Sequence, residues 1–310
     1  MNENGNTNQN DGKKMALYVI LIMVIHFAAL VIGQYIALGI YTLRDLITGT
    51  LKFDLTGNIF QIFFNEAKMQ IYDYINMYTI KSAILGNIIS APLLVMGFWL
   101  FCRKRKEKFF PSASIYIKPP VSTEKNKIIK KSFLGLLTGI SVYFPIAYII
   151  SNTFIGNLSP ETNAIFESMS STTPLWLLIL SIGIFAPIME ELTFRGFIQN
   201  KLGETGKPYA AVIIQALLFG AFHMNLQQFL YAAVIGIIFG FIKLWSGSIW
   251  PCILAHIGFN VFSAVLEKSV ENFEAVNDFI VDKMVFILVA SVALFAAVFY
   301  IFEKEGRKKV

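Results

Sequence analysis

Three charged residues stand close together inside a long apolar stretch. Glu190, Glu191 and Arg195 lie within residues 174–202, a segment composed mainly of apolar side chains. A carboxylate or a guanidinium group at the depth of a bilayer carries a large free-energy cost, so such residues are retained chiefly where they have a function. These three residues are therefore the first candidates for a functional site.

Two further apolar segments each carry a histidine. His223 ends the sequence FGAFH, and His256 begins the sequence HIGFN, which ends at Asn260. On a helix His256 and Asn260 share one face, because they are four residues apart. Both could then donate hydrogen bonds toward one point, as an oxyanion requires. Taken alone, His223 would be interpreted as a core histidine bonded to a backbone carbonyl.

The spacing of the charges suggests a division of roles. Glu191 precedes Arg195 by four residues, so the two can pair on one helix and lower each other's cost of burial. Glu190 points in another direction and has no partner on its own helix, which suits a general base. The alternative is that all three charges form an ion-pair cluster that only fixes helix packing.

The composition places these residues in a membrane protein. The 310 residues are 55% hydrophobic and 15% charged, whereas soluble domains are about a quarter charged. Apolar runs recur near the length of about 20 residues that crosses a bilayer as a helix. We predict an all-α, polytopic membrane protein with about eight transmembrane helices, at 15–40, 80–101, 133–150, 174–202, 208–222, 226–245, 249–266 and 284–302.

The lysines and arginines predict how the chain is oriented. They crowd the segment 103–131 and are absent from 151–173. Because basic loops stay in the cytoplasm, 103–131 is predicted to be cytoplasmic and both termini lie on the same side. Anionic lipid next to this loop accounts for the net charge of +6, so no nucleic-acid partner is predicted. Cys102 and Cys252 have no disulfide or metal-ligand spacing.

The three motifs together resemble the CPBP family of intramembrane proteases. This family is related to the type II CAAX prenyl endopeptidase and to bacterial Abi-type proteins of bacteriocin processing or immunity. Its motifs read EExxxR, FxxxH and either HxxxN or HxxxB, and they are matched here by EELTFR, FGAFH and HIGFN in the same order. The resemblance covers residues 174–264 and implies peptide-bond hydrolysis near the cytoplasmic half of the membrane.

The resemblance also implies roles for the individual residues. Glu190 with His223 would orient and deprotonate the attacking water, while His256 and Asn260 would stabilise the tetrahedral oxyanion. A zinc ion is the alternative left open, with Glu190, His223 and His256 as three ligands and water as the fourth. Asn260 favours metal-free chemistry, because a buried amide is better explained as a hydrogen-bond donor than as a ligand.

The predicted organisation follows from these assignments. Residues 1–14 form a polar, disordered N-terminus, and 15–132 contain a transmembrane pair and the basic cytoplasmic loop. Residues 133–302 form the intramembrane protease core, and 303–310 form a basic tail. The expected partners are the lipid bilayer and a peptide or membrane-protein substrate, and the expected location is a bacterial plasma membrane.

Two other functional classes are compatible with the same residues. A non-catalytic membrane scaffold or bacteriocin-immunity protein could keep the fold and bind a peptide or a sensor partner. A proton-coupled transporter could use the same buried carboxylates, although no internal duplication of the kind common in transporters is visible.

Overall fold

The computed structural model of the protein describes residues 3–49, 67–107, 109 and 122–306. Apart from short connections, these residues are helical and contain no strand, which confirms the predicted all-α class. The first helix begins at Glu3, so polar residues predicted to be disordered up to position 14 extend this helix. Each residue added to an existing helix contributes one backbone hydrogen bond, which favours such an extension. Parts of the predicted basic loop (108 and 110–121) and of the tail (307–310) lie outside the described residues.

Long helices make up the described chain. They are α1 (Glu3–Ile47), α2 (Ala67–Lys104), α3 (Ser122–Asn152), α4 (Pro160–Thr172), α5 (Leu175–Gly203), α6 (Pro208–Phe222), α7 (Leu226–Ser246), α8 (Trp250–Asn272) and α9 (Glu274–Gly306). Helix α4 differs from the other helices because it is short and polar and contains no buried residue.

Seven helices in the described part of the chain are long and apolar enough to cross a membrane, namely α1, α2, α3, α5, α7, α8 and α9. Helix α6 is also apolar, but its 15 residues extend only about 22 Å, against a hydrocarbon core of about 30 Å. The outer surface suits lipid, since α9 leaves Val285 76% and Phe286 74% exposed. The protein is therefore a polytopic membrane protein, with α6 as its one short apolar helix among the described residues.

Close backbone packing positions the helix that carries His256. At Gly139 on α3, a Cβ atom would collide with the carbonyl oxygen of Ala255 on α8. Only glycine allows the two helices to approach this closely. Gly236 on α7 has a similar function, because a Cβ there would lie 3.0 Å from the Cα atom of Ala216 on α6. The absence of a side chain at 236 thus allows α6 and α7 to pack closely.

Helix α5 departs from regular α-helical geometry on both sides of the two glutamates. The segments Ile179–Phe185 and Leu192–Ile198 are π-helical, and the α-helical segment Ala186–Glu191 lies between them. Pro187 lacks a backbone N–H and cannot bond to the preceding turn. Segments of π-helix often occur at functional sites. Here they set the direction in which Glu190 and Glu191 leave the helix axis.

Candidate active site

One cavity contains all four side chains for which we predict chemistry. It has a volume of about 380 Å³, and its walls include Glu190, His223, His256 and Asn260. Glu190 comes from α5, His223 follows the last turn of α6, and the other two lie on α8. The tertiary structure thus brings residues from three helices to one place, while their catalytic roles stay predictions.

The pair of Glu191 and Arg195 forms as its spacing predicts. Nη1 of Arg195 donates to Oε1 of Glu191 at 2.8 Å, and both side chains are completely buried. The Arg195 guanidinium also lies 4.4 Å above the centre of the Phe219 ring, a cation–π contact that helps to compensate for its lost hydration. This pair stabilises the interior next to the cavity and does not line it.

A contact that the sequence did not predict links Glu191 to His256. Nδ1 of His256 lies 2.8 Å from Oε1 of Glu191. Because an ionised carboxylate can only accept a hydrogen bond, Nδ1 carries the proton and Nε2 is left to face the cavity. Nε2 of His256 is 3.6 Å from Oε2 of Glu190, whose side chain is 19% exposed. Glu191 therefore orients the imidazole ring through Nδ1, and Glu190 lies near Nε2 on the side of the ring that faces the cavity.

His223 is held in the same tautomer by a different partner. Its Nδ1 donates to the carbonyl oxygen of Phe219 at 2.9 Å, because a carbonyl can only accept. This bond is the one expected of a core histidine, yet the ring also lines the cavity. In the neutral form the Nε2 lone pair remains available to water. The Phe219 ring packs edge-on against both His223 and His256, with centroids 5.1 and 5.8 Å apart.

Asn260 differs in part from its predicted geometry. Its Nδ2 donates to the carbonyl oxygen of Ile182 at 2.9 Å, so one of its two amide hydrogens is already used. Ile182 lies in the first π-helical segment of α5, where this bond joins α5 to α8. A single hydrogen is therefore left for an oxyanion. His256 can add a second donor only when Nε2 also carries a proton.

The described side chains do not assemble the zinc site that the sequence left open. No group of three His, Cys, Asp or Glu side chains among them stands close enough to hold a metal ion. Nε2 of His256 lies 3.6 Å from Oε2 of Glu190, while His223 bonds to Phe219 through Nδ1 and has only its Nε2 left to offer a ligand. Because zinc in a catalytic site needs three protein ligands with an open fourth position, we derive no step through a metal.

Other buried polar residues support the site from outside the cavity. Nε2 of Gln199 donates to the carbonyl oxygen of Gly240 at 2.9 Å, and Nε2 of Gln215 donates to that of Gly236 at the same distance. Sequence reasoning missed these contacts. An amide inside an apolar helix was the signal that could have found them, because a buried amide needs a partner.

His26 on α1 is another buried polar residue near the site. Its Nδ1 lies 2.8 Å from Oγ1 of Thr193 on α5. The contact is a hydrogen bond between two helices, and His26 lies outside the walls of the cavity.

The cavity continues away from the four polar residues toward α4. Phe166 and Ser170 of α4 form part of its wall, together with Glu267 near the end of α8. A second and larger cavity, of about 740 Å³, shares these three residues. The site is therefore continuous with a larger space beside α4.

The fold and this site define a class of protein, a polytopic helical membrane protein with an embedded glutamate–histidine site. Residues 172–262 match the family described as type II CAAX prenyl endopeptidase Rce1-like. The match contains all three motifs, and it confirms the predicted resemblance to the CPBP family over this part of the chain.

A protein of Bacillus subtilis (strain 168) is similar to the same part of the chain. Its name is "Putative membrane peptidase YdiL", and the two sequences are 32% identical over 113 residues. The alignment covers 36% of this chain and 45% of that relative, so less than half of the relative is matched. No solved structure gives a significant match.

Proposed function

We propose that this protein is an intramembrane endopeptidase that hydrolyses a peptide bond in a membrane-associated or leader-bearing peptide. The observation that carries this proposal is the approach of Glu190 to His256, with 3.6 Å between Oε2 and Nε2 in the cavity shared with His223. A carboxylate and two imidazoles that line one cavity are the groups that general acid–base catalysis uses. The family match supports the same reaction.

Glu190 begins the proposed reaction as the general base. It takes one proton from a water molecule while the water oxygen bonds to the carbonyl carbon of the substrate. His223 faces the same cavity through Nε2 and orients this water by accepting its second hydrogen. The carbonyl oxygen becomes an oxyanion at this step.

Asn260 and His256 stabilise that oxyanion in the proposed reaction. The free Nδ2 hydrogen of Asn260 and the protonated Nε2 of His256 are the two donors, and Glu191 holds the His256 ring through Nδ1. When the intermediate collapses, the carbon–nitrogen bond breaks, and the leaving nitrogen takes the proton that Glu190 received. Water and the peptide are thereby converted into a carboxylic acid and an amine.

The proposed substrate is a peptide or membrane protein, and the proposed location is a bacterial plasma membrane. The aligned relative is bacterial and is named for a membrane peptidase. The seven long apolar helices support a site that is reached within the bilayer. Substrates that are themselves membrane-associated would meet this site by lateral diffusion.

Cleavage of a membrane-tethered peptide library by the purified protein in lipid vesicles tests the proposal. Glu190→Gln keeps the size of the side chain but removes the base, so cleavage should fall by about 10²–10⁴-fold. The matched control is Glu204→Gln, because Glu204 is 61% exposed in its pair with Lys201 and lines neither cavity, and this variant should cleave as the wild type does. Equal cleavage by Glu190→Gln would refute the assigned role. Peptide binding without cleavage by the wild type would instead identify the non-catalytic scaffold.

A further inference from the structure

One end of the helix bundle is basic, and contacts within the structure define this end. The guanidinium of Arg105 at the end of α2 and the ammonium of Lys201 at the end of α5 lie 5.2 and 5.3 Å from the centre of the Tyr18 ring. Lys131 on α3 pairs with Glu305 on α9 at 3.4 Å. Lys243 near the end of α7 donates to Asn200 of α5, and Trp245 beside it lies against Gly306 of α9. The basic ends of α2, α3 and α5 are therefore on one side, which we call the basic end.

The opposite end of the bundle is organised around α4 and is called the α4 end. Thr162 and Asn163 of α4 accept hydrogen bonds from Asn225 and Gln227 at the start of α7. Helix α4 has two glutamates and no lysine or arginine. Because lysine and arginine are concentrated on the cytoplasmic side of membrane proteins, the basic end faces the cytoplasm and the α4 end faces away from it.

The catalytic cavity reaches the α4 end. Exposure increases along its wall from His256, whose side chain is 7% exposed, to Glu190 at 19% and to Phe166 of α4, which is 40% exposed. His223 is followed directly by Met224, which is 79% exposed. The second cavity meets the first at Phe166, Ser170 and Glu267 and enlarges the opening on this side.

Toward the basic end, the site is closed by a layer of large buried side chains. Phe194, Phe197, Phe239 and Arg195 are completely buried, and they follow Glu190 on α5 or face His256 from α7. A water molecule or a peptide arriving from the basic end would have to displace these close-packed rings and the Glu191–Arg195 pair. Such packing is dense and resists displacement.

We propose that the catalytic cavity opens to the non-cytoplasmic side of the membrane. Its substrates are then peptide segments presented from that side, such as the translocated portion of an exported or membrane-anchored precursor. The assignment of a substrate rests on the proposed function, whereas the direction of opening depends only on the charge distribution and the cavity. It differs from the cytoplasmic access that the family resemblance implies.

Cysteine labelling with a membrane-impermeant maleimide tests the direction of opening. Cys102 and Cys252 are both buried, so the wild-type protein is the unlabelled control. Three single variants report on three places: Glu267→Cys on the exposed α4 end, Ser263→Cys in the cavity wall, and Glu204→Cys on the exposed basic end. The full-length variants are labelled in spheroplasts, which expose the outer face, and in inverted membrane vesicles, which expose the cytoplasmic face.

The proposal requires that Glu267→Cys and Ser263→Cys are labelled in spheroplasts and that Glu204→Cys is labelled only in inverted vesicles. Labelling of Glu267→Cys only in inverted vesicles would reverse the orientation of the protein and overturn the proposal. Labelling of Ser263→Cys only in inverted vesicles, or from neither face, would also overturn it, because the cavity would then not open outward.

A peptide substrate added from one side of the membrane tests the proposed substrate class. Spheroplasts carrying the wild-type protein should cleave an added peptide library, and inverted vesicles should not. The Glu190→Gln variant is the inactive control in both preparations. Cleavage only by inverted vesicles would overturn the proposed substrate class. Cleavage by neither preparation, together with the expected labelling, would remove the proposed peptidase function but leave the outward opening established.

Discussion

Oε1 of Glu191 lies 2.8 Å from Nδ1 of His256, and the same oxygen accepts a hydrogen bond from Arg195 at 2.8 Å. One carboxylate oxygen thus joins an ion pair within α5 to an imidazole on α8. Since Glu191 and Arg195 are completely buried, the link forms inside the protein without competition from solvent. Glu191 fixes both the packing of α5 and the direction of His256.

Replacing Glu191 with Gln should destabilise the protein severely. The change leaves the Arg195 guanidinium buried without a counter-charge, and breaking a buried pair in this way costs about 3–5 kcal/mol. The free energy of unfolding in detergent, from denaturant titration, measures the effect. Glu204→Gln removes the carboxylate of the Lys201–Glu204 pair, in which Glu204 is 61% exposed, and should cost no more than about 1 kcal/mol. Equal losses in the two variants would contradict the structural role of Glu191.

Replacing Asn260 with Ala should slow the chemical step without weakening substrate binding. Removing one oxyanion donor lowers kcat by about 10²–10³-fold in known enzymes. Since Asn260 also donates to Ile182, the thermal midpoint of the variant is measured beside its kcat and KM. A rise in KM with kcat unchanged would show that Asn260 binds the substrate uniformly and does not act in the transition state.

A strong chelator should leave cleavage unchanged. The described side chains near Glu190 supply a carboxylate–histidine pair and no group of three ligands for a metal ion. The measurement is the initial cleavage rate after incubation with a chelator, followed by dialysis and addition of zinc. Loss of cleavage that zinc restores would contradict the metal-free reaction and return Glu190, His223 and His256 to consideration as ligands.

Replacing Gly139 with Ala should separate α3 from α8 and displace His256. The added Cβ would collide with the carbonyl oxygen of Ala255, and overpacking of this kind costs about 1–3 kcal/mol. Gly39→Ala on α1 is the control, since a Cβ there meets nothing within 4 Å and alanine favours a helix over glycine by about 1 kcal/mol. Unfolding free energy and cleavage rate should both fall in the first variant only. Unchanged values in Gly139→Ala would show that α8 can shift without affecting the site.

Several features of the fold and site could be predicted because they depend on local spacing. The long apolar runs predicted a polytopic helical membrane protein, and seven long apolar helices in the described residues bear this out. The pairing of Glu191 with Arg195 follows from helical periodicity, since residues four apart share a face. The three ordered motifs sufficed to predict the family resemblance over residues 172–262, because they record residue types and spacing.

The tertiary structure alone decided which groups meet across helices. The link from Glu191 to His256 and the bond from Asn260 to Ile182 depend on how α5 and α8 are rotated toward each other. That rotation is set by the π-helical segments of α5 and by the close approach of α8 to α3 at Gly139. The opening toward α4 likewise results from packing between distant parts of the chain. Hydrophobic patterns specify which residues are apolar and at what period, but not the rotation of one apolar helix against another.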